Sequence, residues 1–170
     1  MPRPVAVNHI GAVVPDIEAA IDWYRDVMGF GLVAGPFDLR PDDPNGAQTM
    51  DVLGEKLKHL RIAHMSSANG VGLELFEPVD PKIERRDDMV EFWRNGFFHI
   101  CVTDPDVEGL VARIVETGGK QLSKFWRERP PHPEYRMCYC ADPFGNVVEV
   151  YSHQYEHMQA HREALNDARQ

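Results

Sequence analysis

Residues 9–18 read HIGAVVPDIE, and ninety residues later the chain reads HICVTDPDVE at residues 99–108. Aligning residues 9–30 with residues 99–120 without a gap matches six of the twenty-two positions. Both copies open with an apolar run typical of a strand and then reach a Pro-Asp pair, where the aspartate can cap a helix. The pattern therefore predicts an internal duplication in which each copy begins as a strand followed by a helix.

Apolar residues after each Pro-Asp pair recur at the spacing of one helix face. They are Ile17, Ile21, Tyr24 and Met28 in the first copy, and Val107, Leu110, Ile114 and Val115 in the second. Glycine follows each run, as Gly29 and as Gly118-Gly119, and predicts where each helix ends.

Each copy closes on a second matched stretch, GVGLELFEP at residues 70–78 and GNVVEVYSH at residues 145–153. Both stretches place a glutamate between apolar residues. The histidine-to-glutamate separation is 65 residues in the first copy (74 − 9) and 50 in the second (149 − 99). The fifteen extra residues are expected in a turn-rich insertion near residues 35–60. The order strand, helix, several strands, repeated once, predicts an α+β fold.

Glu74 and Glu149 are predicted to lie on strands among apolar neighbours. An ionised carboxylate in such a place costs several kcal/mol unless a cation or a set of donors receives it. His9 and His99 recur at matching positions of the two copies. Two imidazoles and two carboxylates, brought together by the duplication, would form a site for one divalent ion such as Zn, Ni, Co, Mn or Fe(II).

The segments HIGAVVPDIEAAIDWYRDVMGF, GLELFEP, FFHICVTDPDVEGLVARIVETGG and DPFGNVVEVYS resemble the vicinal oxygen chelate superfamily, the glyoxalase, bleomycin-resistance and extradiol-dioxygenase group. The resemblance implies two βαβββ modules that form a cupped mixed sheet around one metal ion. Residues 1–153 would be a single domain, with modules at about 5–80 and 95–153, and residues 154–170 a helical tail.

The resemblance also implies roles for the four repeated residues. His9, Glu74, His99 and Glu149 take the ligand positions of the metal-dependent lyases and isomerases. Glu149 corresponds to the general base and Glu74 to its possible counterpart on the opposite face. The opening resembles the methylmalonyl-CoA epimerase branch, whereas a glutamate at position 74 is typical of glyoxalase I. The expected reaction is a lyase, isomerase or epimerase step on a small oxygenated molecule through a metal-stabilised enolate.

Two other functions use the same fold. An Fe(II) extradiol dioxygenase needs two histidines and one carboxylate, which His9, His99 and Glu149 supply, and Glu74 would then be superfluous. A non-catalytic binding or resistance protein would lack the ligands, which this chain retains.

Substrate contacts are expected from two groups of residues. The basic, aromatic loop KFWRERPPHPEYRM at residues 124–137 could bind an anionic group, and aromatic residues near the repeated ligands could form apolar walls. These candidates are Arg127, Arg129 and Arg136 in the loop, and Phe76, Phe97 and Tyr151 on the strands. The alternatives are that the arginines pair with local acids and that the aromatic residues belong to the core.

Composition narrows the possible partners. The 170 residues hold 18 Lys and Arg against 27 Asp and Glu, a net charge of −9, which argues against nucleic-acid binding. Neither a signal peptide nor a membrane span is indicated, so a cytoplasmic protein with a small-molecule substrate is expected. Its three cysteines are expected to stay reduced. The exposed edges of two open modules favour a homodimer.

Overall fold

The structure is a computed structural model and describes residues 3–84, 88–126 and 134–159. The chain forms two compact units, Met1–Arg86 and Asp87–Gln170. Each unit contains one four-stranded mixed sheet with a helix after its first strand. This arrangement confirms the predicted α+β fold of two βαβββ modules. None of the helices in the described residues is long and apolar enough to span a membrane.

The described residues of unit 1 form four strands and two helices. In chain order they are β1 (His9–Val13), α1 (Ile17–Met28), β2 (Gly31–Leu39), α2 (Gly46–Leu53), β3 (His59–Ser66) and β4 (Gly72–Asp80). The order across the sheet is β1-β4-β3-β2, with β1 parallel to β4 and the other neighbours antiparallel. The region predicted as a turn-rich insertion contains the end of β2 and the whole of α2, an additional helix.

Unit 2 repeats this topology. Its elements are β5 (His99–Thr103), α3 (Val107–Glu116), β6 (Lys120–Gln121), β7 (Met137–Ala141), β8 (Val147–Tyr151) and α4 (Tyr155–Gln159). The order across the sheet is β5-β8-β7-β6, and β5 is parallel to β8. In both units the strand that starts with histidine therefore lies beside the strand that carries the central glutamate. The short helix α4 confirms the predicted C-terminal helix, and the rest of the predicted tail, residues 160–170, lies outside the described residues.

Both helices that follow a Pro-Asp pair are capped as predicted. The Asp16 side chain accepts a hydrogen bond from the Ala19 N–H at 3.0 Å, and Asp106 accepts one from the Gly109 N–H at 3.0 Å. These bonds satisfy backbone donors that have no partner inside the helix. Gly29 ends α1 in the left-handed region with φ of 70°, where a side chain would be strained.

The predicted helix faces are confirmed, with one exception on α3. Val115 was expected in the core, but it is 45% exposed, and Val111 is buried in its place. The reason is geometric, because Val115 lies about 100° around the helix from Ile114, whereas Val111 lies one turn before Ile114 on the same face. The other predicted face residues are buried, apart from Met28, which is half-buried: Ile17, Ile21, Tyr24, Val107, Leu110 and Ile114.

Candidate metal centre

Strand pairing in unit 1 brings His9 and Glu74 together. In the parallel pair of β1 and β4, His9 lies opposite Gly72, so Glu74 is two residues further along and on the same face. His9 Nε2 lies 3.3 Å from Glu74 Oε2. The neighbouring core residues Leu73 and Leu75 point to the opposite face and are almost fully buried.

Unit 2 repeats this geometry with His99 and Glu149. In the parallel pair of β5 and β8, His99 lies opposite Val147, and Glu149 is again two residues further along. His99 Nε2 lies 3.3 Å from Glu149 Oε2, the same separation as in unit 1. This second pair is more shielded, since the Glu149 side chain is 6% exposed, against 24% for that of Glu74.

A nitrogen–oxygen distance of 3.3 Å is long for a charge-assisted hydrogen bond, for which about 2.7–2.9 Å is usual. It agrees with the separation of two ligands on one ion. Ligand distances of about 2.1 Å and ligand–metal–ligand angles between octahedral and tetrahedral place neighbouring donors about 3.0–3.4 Å apart. The spacing in each pair is therefore compatible with two ligands of one divalent ion.

The hydrogen bonding of the second ring nitrogen, Nδ1, affects whether Nε2 of each histidine can bind a metal ion. His9 Nδ1 lies 2.8 Å from Asn8 Oδ1, and the tautomer that donates this hydrogen bond leaves a lone pair on Nε2, as a metal ligand requires. His99 Nδ1 is buried and has no hydrogen-bond partner among the described residues. The His99 ring contacts Tyr139 edge to face, with ring centroids 5.4 Å apart. An incompletely satisfied imidazole facing a buried carboxylate is a feature typical of a functional site.

Glu74 has a second histidine neighbour that the sequence analysis did not predict. His64 pairs with Glu74 across β3 and β4, and its Nδ1 lies 3.2 Å from Glu74 Oε1. In unit 2 the equivalent cross-strand partner of Glu149 is Tyr139. The hairpin turn at residues 67–70 was the available signal, since antiparallel pairing around it matches residue 64 with residue 74.

The predicted metal ligands are found in pairs in the structure, His9 with Glu74 and His99 with Glu149. The described residues contain no group of three or more His, Cys, Asp and Glu side chains with the geometry of a metal site. Each His–Glu pair therefore supplies two of the four ligands that the sequence analysis predicts, and their union in one site stays a prediction.

A cavity of about 370 Å³ in unit 2 opens onto the His99–Glu149 pair. Tyr151, a predicted substrate contact, lines it together with Met137, Tyr139, Tyr155 and Gln159. The last two residues belong to α4 and were not predicted as site residues. Their sequence signal is weak, because the tail SHQYEHMQAH reads only as a polar helix.

The other predicted substrate contacts lie elsewhere or outside the described residues. The guanidinium of Arg136 lies 3.4 Å from the Glu108 carboxylate on α3, as the alternative of local pairing expects. Phe97 is 97% exposed. Phe76 is half-buried and its ring lies over Gly11, where an added Cβ would be 3.1 Å away. Arg127 and Arg129 lie outside the described residues, so their roles stay predictions.

Comparison with known proteins gives consistent matches over most of the chain. The family model of the Glyoxalase/Bleomycin resistance protein/Dioxygenase superfamily matches residues 6–150. A 2-epi-5-epi-valiolone epimerase from Actinomyces sp. is 25% identical over 152 residues, which cover 88% of this chain and 80% of the relative.

Two solved structures share the fold at low sequence identity. A glyoxalase family protein from Bacillus cereus has a TM-score of 0.70 at 18% identity, covering 88% of this chain and 95% of its own. A variant of the fosfomycin resistance protein FosX from Listeria monocytogenes, complexed with Mn(II) and 1S,2S-dihydroxypropylphosphonic acid, has a TM-score of 0.55 at 15% identity. That match covers 91% of this chain and 98% of FosX.

Proposed function

Since the chain belongs to the Glyoxalase/Bleomycin resistance protein/Dioxygenase superfamily, we propose that it is a divalent-metal-dependent isomerase or epimerase. Its substrate is a small oxygenated molecule, and its reaction moves a proton at a carbon next to a carbonyl group. The epimerase from Actinomyces supports this reaction class over ring cleavage, and the Mn(II) complex of FosX supports the use of a divalent ion.

The repeated 3.3 Å His–Glu pair is the observation that carries the proposal. His9 and Glu74 would hold the ion from unit 1, and His99 and Glu149 from unit 2. The proposal of one shared ion rests on the internal duplication, which provides each unit with the same half-set. A divalent ion supplies Lewis acidity there, which makes a proton beside a bound carbonyl easier to remove.

The two glutamates have different roles in this proposal because they have different neighbours. Glu74 is contacted at both carboxylate oxygens, at Oε2 by His9 and at Oε1 by His64. Glu149 is contacted by one histidine, through Oε2, and lies beside a cavity large enough for a small substrate. Glu149 is therefore the general base that accepts the substrate proton, and Glu74 is the more firmly held counterpart.

Proton transfer in an epimerisation balances without a redox partner. The Glu149 carboxylate accepts the proton from one face of the carbon, and a Glu74 side chain that starts the cycle protonated returns a proton to the opposite face. Exchange with water then removes the proton from Glu149 and restores the one on Glu74. An isomerisation uses Glu149 alone, which returns the proton to a neighbouring atom. In both cases the exchanged proton passes through a carboxyl group that equilibrates with water.

Metal content and solvent exchange test the proposal. Protein purified without chelator is expected to contain one divalent ion per chain and to incorporate deuterium from D₂O into a ketone substrate. Glu149→Gln is expected to slow this exchange by about 10²–10⁴-fold while folding normally. Glu55→Gln is the matched control, since Glu55 is exposed. Full exchange by Glu149→Gln would exclude Glu149 as the base, and two ions per chain would exclude the shared site.

A further inference from the structure

The cavity beside His99 and Glu149 has a strongly polar lining. Of the seven residues that line it, Met137 alone is apolar. The polar ones are His99, Glu149, Tyr139, Tyr151, Tyr155 and Gln159. At about 370 Å³ the cavity lies in the lower part of the range found for small-molecule sites, about 300–1,000 Å³, and suits a molecule with a single ring.

Helix α4 is held over this cavity by its own packing. Met158 is 3% exposed and packs in a cluster with Tyr135 and Tyr151. Gln159 Nε2 donates a hydrogen bond to the Tyr151 hydroxyl at 3.2 Å. With Met158 as the anchor, the same helix brings Tyr155 and Gln159 to the cavity wall, and Tyr155 stays 70% exposed at the rim.

The chemistry of the lining indicates what it can bind. A phenol hydroxyl both donates and accepts hydrogen bonds, and a carboxamide does so through two separate atoms, so these groups match the hydroxyls of a polyol. Lysine and arginine are absent from the described lining, and the only ionisable carboxylate in it is Glu149. Away from the proposed ion, a phosphate or carboxylate on the substrate would therefore meet no cation in the described lining.

We propose that α4 is part of the substrate site and that the substrate is a polyhydroxylated ketone or aldehyde, whose hydroxyl groups bind to Tyr155 and Gln159. This inference rests on the proposed function, because it takes Glu149 as the group that meets the carbon next to the carbonyl. Tyr155 and Gln159 are specificity-determining residues at the opposite end of the substrate from the carbonyl.

Two probes that differ only in their hydroxyl groups test this inference. 2-Keto-myo-inositol is a cyclohexanone with five hydroxyls, and cyclohexanone has none. Calorimetry on the metal-loaded protein is expected to show at least tenfold tighter binding of the hydroxylated probe, since a site built for hydroxyl groups rejects the analogue that lacks them. Equal affinity for the two probes, or no binding of 2-keto-myo-inositol, would overturn the inference.

Variants on α4 test whether this helix contacts the hydroxyl groups of the probe. Gln159→Leu and Tyr155→Phe are each expected to weaken binding of 2-keto-myo-inositol about three- to tenfold, as one lost hydrogen bond predicts, with metal content and circular dichroism unchanged. Glu156→Gln on the same helix is the control, since Glu156 is exposed and lies outside the cavity lining. If both α4 variants bind the probe like the wild type, the α4 contacts are wrong. Different results would contradict the proposed function: protein that contains no divalent ion, or full deuterium exchange by Glu149→Gln.

Discussion

Glu74 and Glu149 occupy equivalent positions in the two copies, yet their carboxylates have different surroundings. His64 contacts Glu74 from the adjacent strand, whereas Tyr139 occupies the equivalent position beside Glu149. A neighbouring side chain of this kind would orient a carboxylate ligand and leave its other oxygen for the proposed ion. The duplication thus preserves the two glutamates, but the side chain that contacts each of them from the adjacent strand differs between the copies.

Gly72 provides a test of how His9 is positioned. A Cβ added at Gly72 would lie 2.9 Å from His9 Cβ, so the side chain of His9 must shift if residue 72 is anything larger. We expect Gly72→Ala to weaken divalent-ion binding about tenfold or more with little effect on folding. Chelator competition measures the affinity. Gly31→Ala is the control, since its Cβ would meet nothing within 4 Å. Unchanged affinity in Gly72→Ala would show that His9 does not depend on this close approach.

Strand register determines the candidate site at the scale of elements. In both units the glutamate is two residues beyond the partner of the histidine, so the two side chains share one face. A shift of one residue would move the glutamate to the helix-facing side of its sheet. The register is held by the apolar residues that alternate with the glutamate, Leu73 and Leu75 in unit 1 and Val148 and Val150 in unit 2, all of which are buried.

An ion network joins α1 to the sheet of unit 1. The Arg61 guanidinium on β3 donates to Glu18 on α1 and, at 2.9 Å, to Glu77 on β4. Glu77 also accepts a hydrogen bond from the Ile17 N–H at 3.3 Å, at the start of the helix. The hydrogen bond from Arg61 lowers the pKa of Glu18 below its ordinary value of 4.5. Arg61 therefore fixes the helix against two strands.

Removal of Arg61 should destabilise the protein at neutral pH. It should also make the free energy of unfolding depend less on pH in the acidic range. We expect Arg61→Met to lower the free energy of unfolding by about 1–3 kcal/mol, because the half-buried Glu77 loses its cation. The contribution of Glu18 is present above its unfolded pKa and is lost as the pH falls through its lower folded pKa, so the wild type should lose more stability than the variant below about pH 4.5.

Urea unfolding over a range of pH measures both effects of Arg61→Met. The matched control is Arg25→Met on the exposed surface of α1, where Arg25 pairs with Asp22 and Asp26. Such exposed pairs contribute little, so this variant should unfold like the wild type. A parallel pH dependence of wild type and Arg61→Met would exclude the Glu18 linkage.

Binding of the proposed ion should raise the thermal stability of the whole protein. A ligand present at about a hundred times its Kd stabilises the folded state by about 2.7 kcal/mol, which corresponds to a rise in Tm of about 5–10 °C for a chain of this size. Chelation should lower the Tm by this amount. In the presence of metal, His9→Ala and His99→Ala should each remove the increase, and the double variant should lose no more than either single variant.

Independent sites in the two units would give a different result. The Tm losses of His9→Ala and His99→Ala would then add in the double variant, because the two residues would act on separate ions. Apo protein of each variant serves as the control, since the metal-dependent part of the Tm is the difference between loaded and chelated samples. Additive losses would overturn the proposal of one shared ion.

Local signals along the chain were sufficient for most of the fold. The Pro-Asp caps, the helix-terminating glycine and the alternating apolar residues predicted the start of both helices and the strands that carry Glu74 and Glu149. These features depend on neighbours within a few residues, so they can be read without the tertiary structure. The repeat itself predicted that each histidine belongs with one glutamate. Val115 shows the limit of spacing arguments, because an apolar residue at the margin of a helix face can lie on either side of it.

Contacts between distant parts of the chain bring additional groups to these histidines and glutamates. His64 joins Glu74 only because β3 and β4 pair in one particular register, and Gln159 reaches Tyr151 because Met158 of the same helix packs against Tyr151 and Tyr135. Arg136, just before β7, reaches Glu108 on α3, which is far from it in the sequence. The repeated elements and their histidines and glutamates could be predicted from the amino-acid sequence, since local propensity and periodicity depend on residues close together in the chain. The neighbours of the glutamates, and the helix that lines the cavity, depend on contacts between residues far apart in sequence, which form only when the sheet and its packing are complete.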